Sequence, residues 1–190
     1  MIVLISGLAL FICLHALRTF GWRETLLQRF GQKQYRLMIS AGICLSVLLM
    51  IAGKSSADFV QIWVPPYFLR ELTNLLMLSA CIVFSAGFLP ASHTRALVGH
   101  PMLTGIFIWG AAHLFSNGDV ASMLLFGSLA LWAALKIWIL EARRRCAMPV
   151  ASARPALQWD AAAILLGMIA YGALLVFHGP LFGFAVTGPL

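Results

Sequence analysis

Six apolar runs, separated by short polar segments, organise the 190-residue chain. They cover residues 1–17, 37–53, 72–90, 101–116, 120–140 and 161–177. A helix needs about 20 apolar residues to cross the hydrocarbon core of a bilayer, and about 17 at the short end of the range, where several of these runs fall. The pattern predicts an all-α protein: one domain over residues 1–190, built as a polytopic bundle of about six transmembrane helices.

The segments between the runs contain residues that interrupt or end helices. Pro65-Pro66 cannot lie inside a helix, so residues 54–71 are predicted to form a loop. Asn117-Gly118-Asp119 predicts a tight turn, and His178-Gly179-Pro180 predicts the end of the last span. The final ten residues are then expected to form a short interfacial or re-entrant tail.

Residues 18–36 have a different pattern, because basic and apolar residues alternate there at helical spacing. The apolar members are Trp22, Leu26, Leu27 and Phe30. A helix with one apolar and one basic face lies in the plane of a membrane surface. This segment therefore predicts a short amphipathic helix before the second span.

Composition and charge support the membrane assignment. Hydrophobic residues make up 62% of the chain and charged residues only 10%, whereas a soluble domain carries about 25% charged residues. The successive loops carry net charges of +4, 0, +1, −1 and +3. Because positive loops face the cytoplasm, this alternation predicts that both termini lie outside. It also accounts for the total of +7 without a nucleic-acid partner.

Histidines are the main candidates for chemistry. His15, His100, His113 and His178 lie at the ends of apolar runs, whereas His93 is predicted to be solvated in a short loop. Each span-end histidine alone could sit at headgroup level or bond a backbone carbonyl. Four together in so apolar a chain predict a ligand or cofactor site, because unpartnered polar groups are costly in hydrocarbon. The four cysteines have no C-x-x-C spacing, which argues against covalently attached haem.

Helix geometry limits which histidines can act together. His100 and His113 would lie about 20 Å apart and about 140° around one straight helix, so they cannot bind the same metal ion. The predicted topology places His15 and His100 at the cytoplasmic end and His113 and His178 at the outer end. Either pair could hold a flat haem as axial ligands, while the histidines are too dispersed for zinc to be preferred.

Two side chains are predicted to support His113. Trp109 and Asn117 each lie four residues from it and so share its helix face. Groups of this kind orient a metal-binding imidazole. Trp109 and Asn117 are therefore included with the four histidines as candidate cofactor-binding residues.

The motifs of the chain resemble those of the NnrU family of bacterial membrane proteins. The matching segments are His15, His100-Pro101-Met102, Trp109, His113-Leu114, Asn117-Gly118-Asp119, Leu124-Leu125-Phe126-Gly127-Ser128 and His178-Gly179. The family takes its name from a link to nitrate and nitric oxide metabolism. It is related to the plant 15-cis-ζ-carotene isomerase, a membrane enzyme that uses haem b.

The resemblance implies a haem b site in a protein of the bacterial inner membrane. In the related isomerase one ligand lies on an early span and one in the segment that ends in Asn-Gly-Asp, which implies His15 and His113 as metal ligands. Two functions follow as hypotheses: cis–trans isomerisation of an apolar polyene, or non-catalytic handling of haem and nitric oxide in denitrification. A third is a small helical membrane protein whose histidines are structural.

Overall fold

The computed structural model describes residues 1–17, 19–146 and 154–182, and these form helices joined by short loops. The helices are α1 (Ile2–Leu17), α2 (Trp22–Ser55), α3 (Tyr67–Ala86), α4 (His93–Val98), α5 (Pro101–Ser116), α6 (Val120–Cys146) and α7 (Leu157–Phe182). Within those ranges no strand forms beyond an isolated antiparallel bridge between Gln61 and Asp119. The prediction of an all-helical protein is confirmed.

Four of these helices are long and apolar enough to cross a membrane: α2, α3, α6 and the Leu157–Pro180 part of α7. Helices α1 and α5 are apolar but have only 16 residues each. Each predicted apolar run therefore corresponds to a helix. The count of six spans and the outside placement of both termini stay predictions.

Several predicted boundaries were wrong. Helix α3 begins at Tyr67 rather than at residue 72, directly after Pro66, which precedes its first turn. Helix α7 continues through Pro180 to Phe182, so the predicted stop after His178 is wrong. Pro180 lies two residues before the end of α7, so its missing N–H removes one backbone hydrogen bond and leaves the rest of the helix intact. Of the predicted ten-residue tail, residues 181–182 belong to α7, and residues 183–190 lie outside the described residues.

The chain divides into two compact units, Met1–Val60 and Gln61–Leu190. In the first unit, α1 packs against α2 through fully buried Leu4. A Cβ atom on Gly53 would lie 2.3 Å from the Leu4 nitrogen, so the absence of a side chain there permits the contact. The single domain inferred over residues 1–190 stays a prediction.

A kink at Gly31 divides α2. Gly31 has φ 77° and ψ 165°, a conformation that glycine adopts readily and other residues avoid. The kink separates the short basic segment from Trp22 to Phe30 from the long apolar part of the helix. The predicted amphipathic helix thus exists as the first part of α2, and its position on a membrane surface stays a prediction.

In the second unit, α3 packs against both α5 and α7, and α5 also packs against α6. Small residues let these helices approach closely: a Cβ atom on Gly105 would lie 2.7 Å from the Phe84 Cβ. One hydrogen bond also joins α3 to α5, since the Thr73 hydroxyl donates to the Ala112 carbonyl at 3.0 Å. Helix α3 is therefore the element on which α5 and α7 are both positioned.

The short helix α4, which the sequence did not predict, is held by Asp160 at the start of α7. The Asp160 carboxylate accepts hydrogen bonds from the His93 and Thr94 amides and from the Thr94 hydroxyl, at 2.8–3.1 Å. His93 Nδ1 lies 2.8 Å from the same carboxylate, although 63% of the His93 side chain is exposed. The predicted solvated histidine is therefore exposed but also bonded to Asp160.

We expect Asp160→Ala to destabilise the second unit. The substitution removes the acceptor of the two amides and the Thr94 hydroxyl, which are partly buried, and a hydrogen bond to a charged group contributes about 1.5–3 kcal/mol. Thermal unfolding of the purified protein in detergent measures the loss, with Asp58→Ala at an exposed position as the charge-matched control. Equal unfolding temperatures for the two variants would contradict the role given to Asp160.

Candidate functional site

His113 lies in the last turn of α5, and a backbone hydrogen bond fixes its ring. Its Nδ1 atom is 2.9 Å from the Trp109 carbonyl oxygen. Because a carbonyl oxygen can only accept, Nδ1 is the nitrogen that donates. This leaves the lone pair of Nε2 for another partner, which is the arrangement of most metal-binding histidines.

Two aromatic rings hold the His113 imidazole in place. The Phe126 ring on α6 lies nearly parallel to it, with ring centres 4.3 Å apart and an angle of 27°. Trp109 packs against both, with ring centres 5.0 Å from His113 and 5.0 Å from Phe126. Phe126 comes this close because α5 presents Gly110 to α6, where a Cβ atom would lie 2.8 Å from the Phe126 carbonyl oxygen.

His178 on α7 lies close to His113 on α5. The two imidazole centres are 6.5 Å apart and the ring planes differ by 21°. An imidazole nitrogen lies about 2 Å from a metal ion that it binds, so two rings on opposite sides of one ion have centres about 6 Å apart. The observed separation of ring centres is close to this value. His113 and His178 form one of the two pairs that the predicted topology allowed.

An apolar cavity of about 540 Å³ is lined by Trp109, the residue that contacts His113. Helices α3, α5 and α7 supply its walls, which include Met77, Cys81, Phe84, Ile106, Trp109, Leu174 and Phe177. Trp109 and Leu174 each lie one helical turn before a histidine of the pair. The volume lies in the range of small-molecule sites, and its lining suits an apolar ligand.

The Asn117-Gly118-Asp119 turn ends α5 directly after His113. The Asn117 side-chain amide donates to the His113 carbonyl oxygen at 2.8 Å, and the Asn117 backbone amide donates to the same oxygen at 3.0 Å. The amide was expected to support the imidazole; its hydrogen bonds go instead to this carbonyl and to the Ser116 hydroxyl. Asn117 therefore fixes the helix end that carries His113.

Gly118 and Asp119 attach this turn to its neighbours. The Gly118 carbonyl accepts hydrogen bonds from the Ile62 and Trp63 amides at 2.7 and 3.2 Å. The Asp119 carboxylate accepts from the Ser122 amide at 3.0 Å and so caps the first turn of α6. The turn thus joins the loop before α3 to the helices on both sides of it.

His15, in the first unit, has the same local geometry as His113. Its Nδ1 atom is 2.9 Å from the Phe11 carbonyl, and its ring centre is 4.2 Å from that of Phe11. An aromatic residue four positions before each histidine supplies both contacts. The spacing of Phe11 with His15 therefore repeats that of Trp109 with His113, and this repetition is visible in the sequence.

His100 is placed differently from the other span-end histidines. It precedes the first turn of α5, and its Nε2 atom is buried without a hydrogen-bond partner. Residues 1–17, 19–146 and 154–182 contain no group of three or more His, Cys, Asp or Glu side chains that could hold a metal ion. In the described part of the chain, a metal ion could therefore be held by one or two histidines only.

The helices, four of them long and apolar enough to cross a membrane, define the class of all-helical membrane proteins. Residues 3–186 match the model of the NnrU protein family, and the chain belongs to that family. The resemblance seen in the sequence is confirmed. No curated protein matches the chain, and no solved structure matches it.

Proposed function

We propose that this NnrU-family protein binds haem b through His113 in the bacterial inner membrane. The observation that carries the proposal is the fixed ring of His113, whose Nδ1 donates to the Trp109 carbonyl while Nε2 stays available. These residues fit haem b, because neutral imidazoles are common haem ligands and the cavity lined by Trp109 has apolar walls. Haem b would supply an iron centre able to change its oxidation state.

Two histidines are candidates for the second ligand. His178 is supported by its nearly parallel ring, 6.5 Å from that of His113. His15 is supported by the family resemblance and by its Nδ1 contact with the Phe11 carbonyl, which repeats the arrangement at His113. Both residues stay in the proposal, and single substitutions distinguish them.

We further propose cis–trans isomerisation of an apolar polyene as the activity. The cavity that adjoins His113 has apolar walls contributed by α3, α5 and α7. Such walls bind a hydrocarbon, orient it beside the histidine pair and keep water away from it. Trp109 connects the two parts of the site, because it lines the cavity and also bonds and packs against His113.

A substitution that fills the cavity should separate substrate binding from haem binding. Ala173 lines the cavity from an exposed position on α7, so Ala173→Phe adds volume there without overpacking a buried core. We expect the haem spectrum to be retained and the conversion of a cis-polyene, followed by chromatography, to fall about tenfold or more. Ala161→Phe, exposed on the same helix outside the cavity, is the matched control.

The same experiment tests the alternative function. If the protein isomerises no cis-polyene but its haem spectrum shifts when nitric oxide is added, the activity proposal fails. Haem and nitric oxide handling in denitrification then replaces it. If Ala173→Phe and Ala161→Phe isomerise the polyene equally well, the cavity is not the substrate site.

A further inference from the structure

A second groove lies between α5 and α6, away from the histidine pair. Its volume is about 360 Å³, and its lining residues are Phe107, Ala134, Ile137, Trp138, Glu141 and Arg145. The first four are apolar and the last two are charged. The groove is therefore amphipathic along its length, with an apolar part that ends at a charged rim.

The charged rim carries surplus positive charge. Glu141 is already paired, since its carboxylate lies 3.2 Å from the Arg144 guanidinium. Arg143 and Arg145 belong to the same last turn of α6, and within the described ranges neither forms an ion pair. A guanidinium in this position can bind a phosphate through two parallel hydrogen bonds.

The dimensions of the groove correspond to one leaflet of a bilayer. The helix rises by about 16 Å between Ala134 and Arg145, which is half of a hydrocarbon core about 30 Å thick. Trp138 lies between them with 70% of its surface exposed, and tryptophan is typical of the membrane interface. The groove with its charged rim therefore spans about one leaflet, and its apolar lining on α6, from Ala134 to Trp138, covers about 6 Å of that depth.

We infer that this groove binds one anionic phospholipid, which goes beyond the function proposed for the histidine site. The acyl chain lies along Phe107, Ala134 and Ile137, and the phosphate is held by Arg145. The predicted topology places the loop after α6 on the cytoplasmic side, where anionic lipids attract basic groups near the surface. A lipid without net charge is not attracted by the basic residues at the rim. A free phosphate ion has no acyl chain to contact the apolar residues of the groove.

Native mass spectrometry of the full chain in detergent tests the inference. Titration with phosphatidylglycerol should show one lipid retained per chain, and phosphatidylcholine with the same acyl chains should be retained about tenfold less. Arg145→Gln should weaken retention of phosphatidylglycerol about tenfold. Arg143→Gln, which removes the same charge from the same helical turn outside the groove, is the matched control and should keep most of the binding.

A second variant keeps the test independent of charge. Ala134→Phe fills the apolar part of the groove and should also reduce retention, while size-exclusion chromatography and circular dichroism check that the variant folds. Equal retention by Arg145→Gln and Arg143→Gln would overturn the inference, as would equal retention of the two lipids. Displacement of phosphatidylglycerol by millimolar inorganic phosphate would overturn it as well, because the site would then be an anion site rather than a lipid site.

Discussion

Replacing His113 with alanine should abolish the haem absorption band of the purified protein. The expected loss is complete, because His113 is the histidine whose ring is fixed by the Trp109 carbonyl and packed against Phe126 beside the apolar cavity. Absorption spectra of oxidised and reduced protein, recorded after haem supplementation, measure the effect. Size-exclusion chromatography establishes that the variant remains folded.

His93→Ala is the matched control for this experiment. His93 is a histidine of the same unit whose ring is mostly exposed and bonded to Asp160, so its removal should leave the haem band unchanged. His15→Ala and His178→Ala then identify the second ligand, because only the true ligand should alter the band. A His113→Ala protein that keeps the wild-type spectrum would refute haem binding through His113.

Replacing Gly118 with alanine should produce the largest loss of stability. The added Cβ atom would overlap the Trp63 carbonyl oxygen, at a separation of 1.9 Å, and that oxygen belongs to backbone. Relieving the overlap separates the turn from the loop and breaks the hydrogen bonds from the Ile62 and Trp63 amides. We expect a loss of about 3 kcal/mol in the free energy of unfolding, measured by thermal or denaturant unfolding in detergent.

Gly127→Ala provides the control for this substitution. Gly127 lies inside α6, and a Cβ atom added there meets nothing within 4 Å. Alanine has a higher helix propensity than glycine, so this variant should gain about 0.5–1 kcal/mol. Opposite signs for the two glycine variants are the expected outcome, and a Gly118→Ala protein as stable as Gly127→Ala would contradict the role of the turn.

Hydrophobic periodicity predicted the helices well where local residues also mark their ends. Helix α5 begins at Pro101 and ends before Asn117, as the sequence indicates, because proline suits a first helical turn and Asn-Gly-Asp suits a turn. Helix α4 has only six residues, and although Ser92 caps it locally, its hydrogen bonds to Asp160 come from a residue that is distant in sequence. The sequence alone does not reveal that a carboxylate from another helix supports it.

The candidate site was predictable only in part. The charge alternation of the loops predicts that His113 and His178 lie at the same depth, and their ring centres are 6.5 Å apart in the structure. The stacking of Phe126 on His113 depends on the close contact between α5 and α6 at Gly110, which no local pattern encodes. The cavity likewise arises because α5 and α7 both pack on α3, and this is a property of the tertiary arrangement.

The restraints on the His113 ring lower the entropy cost of binding a ligand. A side chain that is immobilised when a ligand binds loses rotamer freedom worth about 0.5–1.5 kcal/mol. The Trp109 carbonyl and the Phe126 ring restrict the His113 rotamer before any ligand arrives. Most of this conformational entropy is therefore already lost on folding.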